Sequence, residues 1–183
     1  NWVTMPDQYV LSALQHKERE RINRAPIMVE VALVSSHAPW TPVASLVPWS
    51  DIGDGAIFNA QAQSGPTPEE VWQDLSSIRH HYRQTIEYML TSMVSFLTEF
   101  GDDDVVVLLL GDHPPAPMIS GDPDTDQVIA HLIASDPKVI EAVSRWEWQK
   151  GMLPNGDAPV WRMDDLRDRF IKDFSQETTK AIE

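Results

Sequence analysis

Cysteine is absent from this 183-residue chain. That excludes disulfides, thiolate metal ligands and a cysteine nucleophile, leaves His, Asp and Glu as the strong ligands, and leaves the redox compartment open. Cations are scarce: 14 Lys and Arg stand against 28 Asp and Glu, for a formal net charge of -14. Phosphate backbones and anionic bilayers are held by clustered Lys and Arg, so the balance argues against a nucleic-acid or membrane-surface binder. Long apolar runs are missing too. The longest is the six residues Val105–Leu110, far short of the roughly 20 that span a bilayer. The start, Asn1-Trp2-Val3-Thr4, reads neither as a signal peptide nor as an initiator methionine, so the chain is expected to be a piece of a larger protein. There is no Gly-rich phosphate loop, no G-x-S-x-G elbow, no H-E-x-x-H and no internal repeat. The length fits a single domain or a large part of one.

What is present begins with that apolar run. Val105–Leu110 follows the acidic turn Gly101-Asp102-Asp103-Asp104 and ends in Gly111-Asp112-His113-Pro114-Pro115. Six branched apolar residues fit a strand covered on both faces, as in a parallel sheet. Ligands of such sheets bind beyond the carboxyl ends of the strands, where Asp112 and His113 would project as metal ligands. The bland reading is that Asp112 caps a turn and His113 is structural. The strand-end position and the two stiffening prolines favour function.

Other elements frame this one. Pro6 and Asp7 open a helix to about residue 23, with Tyr9, Val10, Ala13, Leu14 and Ile22 on one side and the charged run 17–21 on the other. Ile27–Val34 reads as a strand leading into Ser35-Ser36-His37-Ala38-Pro39-Trp40. Residues 41–66, rich in Pro, Gly and Ser, form a long loop. Thr67-Pro68-Glu69-Glu70 combines a capping box with proline at the first helical position. From there Val71, Leu75, Ile78, Tyr82, Ile86, Met89, Met93, Phe96, Leu97 and Phe100 mark one crossover helix ending at Gly101. Strand 27–34, helix 68–99 and strand 105–110 make a βαβ unit, whose right-handed crossover brings His37 and Asp112-His113 to one sheet edge. Residues 128–134 predict a third strand, 136–146 a short helix and 164–174 an amphipathic helix with Leu166, Phe170, Ile171 and Phe174 inward; 175–183 reads as a polar tail. The expected class is α/β: a partial three-layer α/β/α sandwich with a mostly parallel sheet, filling residues 1–183 as a single domain.

Several constellations carry less. Asp122, Asp124 and Asp126 imitate a calcium loop, but Gln127 and Ile133 occupy the positions of its glycine and bidentate glutamate. His80 and His81 are neighbours on a helix and diverge by about 100°, so they cannot grip one ion. His131 lies within a strand and reads as a core histidine. Trp40 and Trp49 sit in the loop near His37, where they either cover a substrate or anchor the loop.

Three segments together, Leu33-Val34-Ser35-Ser36-His37-Ala38-Pro39-Trp40, the long helix with Tyr82 and Tyr88, and Leu109-Leu110-Gly111-Asp112-His113-Pro114-Pro115, resemble the alkaline phosphatase superfamily. The likeness lies with its sulfatase-like, membrane-anchored branch, which includes lipoteichoic acid synthases and phosphoglycerol transferases, and covers roughly residues 5–170. The resemblance implies that Asp112 and His113 bind a divalent metal (Mn, Mg, Ca or Zn) in a site incomplete in this chain. His37, with Trp40, would contact the phosphate or sulfate of a small anionic ester or a lipid- or glycan-linked substrate. It also implies that an N-terminal half supplies another acidic ligand and the Thr, Ser or formylglycine nucleophile. No sulfatase-type C/S-x-P-x-R motif occurs here, so no catalytic nucleophile is assigned and the chain alone is expected to be inactive. The family's members act outside the cytoplasm, behind membrane segments that would lie outside this chain. The alternative is a non-catalytic binding or structural module of a membrane-anchored protein.

Overall fold

A computed structural model of the chain describes residues 5–102 and 104–175. Asn1–Thr4 and nearly all of the expected polar tail lie outside the described residues. The chain divides into two compact units, Asn1–Gly101 with Ala116–Gly121, and Asp102–Pro115 with Asp122–Glu183.

In the first unit, helix α1 (Asp7–Leu14) runs on into one turn of π-helix at Gln15–Arg19. The loop that follows is ordered by three short 3-10 turns at Trp49–Asp51, Ala56–Phe58 and Gln61–Gln63. The capping box at Thr67 forms: Thr67 Oγ1 accepts from Glu70 N, and Glu70 Oε2 accepts from Thr67 N at 2.7 Å. It opens only a four-residue helix α2 (Pro68–Val71). Asp74 then starts a new helix, α3 (Leu75–Phe100), by accepting from Ser77 N at 2.9 Å, so the expected single helix is broken at residues 72–74. A last short helix, α4 (Pro117–Ser120), belongs to this unit, and Arg79 of α3 donates to Met118 O.

Helix α3 buries part of its expected apolar stripe, Ile78, Met93 and Phe96, together with Thr85, Tyr88 and Ser92, which the stripe does not include. Ile78, Thr85 and Ser92 lie seven apart, on one face. Small side chains let α1 approach closely, and Thr85 returns its hydroxyl to Tyr82 O at 2.7 Å. Leu11, Trp40, Ala44, Ile52, Phe58 and Val71 are also buried in the apolar core of this unit.

The second unit holds the only sheet among the described residues: β1 (Val106–Leu110) and β2 (Ala130–Ala134), antiparallel, in register from Val106 opposite Ala134 to Leu110 opposite Ala130. The expected three-layer α/β/α sandwich with a mostly parallel sheet is therefore wrong, because the protein is mostly helical with a single antiparallel pair. The expected first strand is the reason. Residues 27–34 have no regular secondary structure, among the described residues no backbone hydrogen bond joins them to a strand, and Met28 is 92% exposed. Propensity for β structure expresses fit to a half-buried pleated surface, and that segment has none to lie on. β1 pairs instead with the next apolar stretch of the chain, in the opposite direction. Nor is β1 sealed on both faces, since Val106 and Leu110 are exposed at its ends.

Around this pair the core gathers Val143, Trp146 and Leu166, with Leu108, Leu132, Trp148, Trp161, Phe170 and Phe174 against them. These come from β1, β2, the C-cap of a short helix α5 (Pro137–Ala142) and the turn after it, the loop from residue 147 to residue 162, and α6 (Met163–Phe174). Trp146 is the keystone, with edge contacts to Trp148 and Trp161 at 5.1 and 5.6 Å between ring centres. Its indole N–H donates to Asp173 Oδ2 at 2.6 Å, while Arg145 takes Oδ1 at 2.6 Å. Ile171, expected inward, is instead exposed, 100° around the helix from Phe170.

Trp146→Ala should destabilise this unit by about 3–5 kcal/mol, and Trp146→Phe, which leaves Asp173 Oδ2 without its donor, by about 1–3 kcal/mol. Urea unfolding followed by far-UV circular dichroism measures both. A loss below about 1 kcal/mol for the alanine variant would remove Trp146 from its central role.

Candidate functional site

Gly111 extends the β1–β2 ladder by one bond, its N–H donating to Ile129 O at 3.3 Å. It also lets the backbone pass close to Val128, whose side chain lies 3.3 Å from where a Cβ would stand. Beyond it the strand stops, and Asp112 and His113 project into solvent with side chains 93% and 70% exposed. His113 Nδ1 lies 2.8 Å from Pro114 O. A carbonyl only accepts, so Nδ1 carries the proton and Nε2 the lone pair. That lone-pair nitrogen stands 3.8 Å from Asp112 Oδ1. The gap is too wide for a hydrogen bond, but two donors bound to one divalent ion at about 2.0–2.6 Å each can be separated by that much. A carboxylate oxygen and an imidazole nitrogen also suit Zn or Mn. The donor set fits a divalent ion as a pair; among the described residues no group of three or more His, Asp or Glu gathers to hold one.

His37 is built in the same way. It closes a turn by donating its backbone N–H to Val34 O at 3.0 Å, and its Nδ1 donates to Ala38 O at 2.9 Å, leaving Nε2 with the lone pair in the neutral ring. The residues around it are gripped from three directions. Asp7 Oδ1 accepts from Ser35 N at 2.9 Å, and Asp7 N donates to Ser35 Oγ at 3.0 Å. Trp40 donates its indole N–H to Ser36 O at 2.8 Å, and Trp72 donates to Pro39 O at 3.1 Å. Trp40, at 7% exposure, stacks on Trp72 at 5.2 Å and 7° and meets Tyr82 edge-on. It braces the loop and leaves a substrate little surface. Trp49 anchors as well, through Ser95 Oγ and the rings of Phe96 and Phe100.

Asp7 and Gln8 went unrecognised in the sequence, where Asp7 reads as a helix opener. Both are fully buried. Gln8 pairs with the backbone of Val47 twice, accepting from Val47 N at 3.0 Å and donating to Val47 O at 2.7 Å, and its own N–H reaches Tyr88 Oη at 3.4 Å. Burial pushes the Asp7 carboxyl above its usual range, against the hydrogen bonds from Ser35, and pushes the Tyr88 phenol up to about 12. A shallow groove of about 430 Å³ between residues 43–46 and the face of α3 carrying Gln84, Glu87, Tyr88 and Thr91 holds none of the candidate residues.

The structure brings Asp112 and His113 together in the second unit, and His37 and Trp40 together in the first. The shared sheet edge expected for His37 and Asp112-His113 is not found among the described residues, because residues 27–34 form no strand. Of the remaining histidines, His81 donates Nδ1–H to Ser77 O and meets His80 ring to ring, and half-buried His131 has its pKa lowered by desolvation. No protein-family model, curated protein or solved structure matches the chain.

Long-range ¹H–¹⁵N spectra of the neutral imidazoles should find both His37 and His113 protonated at Nδ1, opposite to the Nε2–H form that free histidine favours; the Nε2–H form at either would contradict the geometry. A second expectation follows from Asp7. With its folded pKa raised, the stability it contributes is complete below the ordinary carboxylate value and is lost as pH rises through the folded value, because the unfolded chain ionises first. Urea midpoints measured from mildly acidic to neutral pH should fall for the wild type relative to Asp7→Asn, and parallel curves would refute the shift.

Proposed function

We propose that this chain is part of a metal-dependent phospho- or sulfo-ester hydrolase or transferase. His37, within the first unit, is the candidate anion-binding residue, and Asp112 and His113, within the second, are the candidate metal donors. The observation that carries the reading is the Asp112–His113 pair: an exposed carboxylate and an imidazole whose Nδ1–H is already committed to Pro114 O, so that its lone pair is free for an ion. The resemblance of Leu109–Pro115 and Leu33–Trp40 to the alkaline phosphatase superfamily supports the same reading.

A divalent ion held there would act as a Lewis acid on an ester oxygen. The chain's own residues supply the rest of what can be assigned. Asp112 offers charge and His113 a neutral nitrogen, a combination that binds a divalent cation without fully cancelling its charge. His37, with Nδ1–H anchored on Ala38 O, takes a second proton only at Nε2. In that imidazolium form it presents one N–H to a non-bridging oxygen of a phosphate or sulfate, stabilising charge on the group being transferred. The nucleophile and further metal donors are assigned to an N-terminal half of the same protein, and the site is placed outside the cytoplasm, both on the strength of the resemblance.

A second reading, a binding module without catalysis, draws on the exposed apolar stretch Ile22, Ile27, Met28 and Val29. One assay separates the two. In the full-length protein with Mn, hydrolysis of bis(4-nitrophenyl) phosphate should drop by on the order of 100-fold in Asp112→Ala and in His113→Ala. Activity equal to the wild type in both variants would end the metal-ligand assignment, and no hydrolysis of any phosphate or sulfate ester by the wild type would favour the module.

A further inference from the structure

Helix α1 spends its first turn on something other than packing. A helix that merely covered α3 would bury apolar side chains there, yet Asp7 and Gln8 are both fully buried and Asp7 Oδ2 has no hydrogen-bond partner. Leaving such an atom buried is costly, so the arrangement needs a compensating use. Both residues are engaged with the stretch that carries His37. Asp7 holds Ser35, inside the turn that His37 closes, by two reciprocal bonds, and Gln8 holds Val47, at the far end of the same loop, by two more. Between these grips, Trp40 fixes the carbonyl of Ser36. The backbone is therefore tied on both sides of His37 and does not depend on His37 itself.

We propose that Asp7 is a positioning residue for His37, acting through Ser35. By fixing the Val34–His37 turn it holds the ring where Nδ1–H meets Ala38 O, so that Nε2 is the nitrogen offered to an anionic oxygen. Gln8 serves the same end by anchoring the other end of the loop. The role in anion binding rests on the function proposed above; the control of the ring's tautomer does not. Asp7 touches no reacting atom.

The test uses ¹⁵N-histidine-labelled protein in four forms: wild type, Asp7→Ala, Asp7→Asn and Ser35→Ala. Asparagine keeps an oxygen acceptor for Ser35 N, so Asp7→Asn should retain the Nδ1–H tautomer of His37. Asp7→Ala should release the ring into a mixture dominated by Nε2–H, with His113 unchanged as the internal control. If the alanine variant fails to fold, Ser35→Ala, which removes a single hydroxyl, should show the same shift in smaller proportion. A folded Asp7→Ala or Ser35→Ala protein that keeps the wild-type tautomer overturns the proposal. In the full-length protein, kcat/KM for bis(4-nitrophenyl) phosphate should fall on the order of tenfold in Asp7→Ala and recover in Asp7→Asn. If the wild type hydrolyses no ester, the proposed function fails while the tautomer result still decides the role of Asp7.

Discussion

The first unit depends on a polar contact more than on an apolar one. The side chains of Asp7 and Gln8, next to each other at the start of α1, make the hydrogen bonds that neighbouring strands would otherwise supply to Ser35 and Val47. The loop from residue 35 to residue 48 has no sheet to lie on, and its backbone groups still require partners when it packs against the helices. Gln8 is well suited to this, because its amide carries an acceptor and a donor spaced like a peptide's own. Such bonds are each worth only about 0.5–1.5 kcal/mol net, but losing one inside the fold costs the full desolvation of the group left behind, about 1–3 kcal/mol. That asymmetry, more than the strength of any bond, makes one arrangement of the loop preferable to the others. Two buried polar groups of α3 are satisfied in different ways: Thr85 donates to Tyr82 O within its own helix, and Tyr88 Oη accepts from Gln8 N of α1.

The two candidate histidines share a device that can be read directly from the chain. His37 is followed by Ala38-Pro39 and His113 by Pro114-Pro115, and in each case the ring's Nδ1–H goes to the carbonyl of the residue between. That residue precedes a proline, which disfavours its helical conformation and narrows the directions its carbonyl can take. Less freedom is lost when the ring bonds to a carbonyl already held in place. A histidine fixed in this way offers Nε2 as ligand or, once protonated, as donor, whereas a freely rotating ring divides its time between two nitrogens and many directions. The pattern His-x-Pro thus carries a physical meaning at both positions, in units that are otherwise unlike.

Helices were legible where a local signal decided them. The Thr67–Glu70 capping box and, Ile171 apart, the amphipathic stretch ending at Phe174 appear as read, because each rests on bonds or burial within a few residues. The break at residues 72–74 was also local, but the N-cap Asp74 lies inside a run whose apolar spacing continues through it, and the spacing dominated the reading. The sheet was not legible. Ile27–Val34 and Val105–Leu110 have the same composition as paired strands, and whether they pair depends on an edge being present, which composition does not state. The placement of Asp112 and His113 just beyond a strand end did not depend on this error, because it requires only that β1 stop at Leu110. The support around His37 was invisible for a different reason: Asp7 and Ser35 lie 28 residues apart, and no periodicity connects them.

The two candidate groups are placed under opposite physical conditions. His37 follows a turn held by a buried carboxylate, so its orientation is fixed while its ring remains exposed. Asp112 and His113 are nearly bare, and in water the attraction of a carboxylate for a cation is reduced by an order of magnitude or so relative to a protein interior. An ion bound by two such groups keeps most of its hydration, and its hold on them comes from coordination geometry more than from charge. Further donors would change this twice over, by adding bonds and by excluding the water that screens those already present. If Asp112 and His113 do bind an ion, as proposed, their exposure means that its hold would depend on whatever further donors approach them. The firmness of the His37 turn has no such dependence, because every bond that maintains it is made within the first unit.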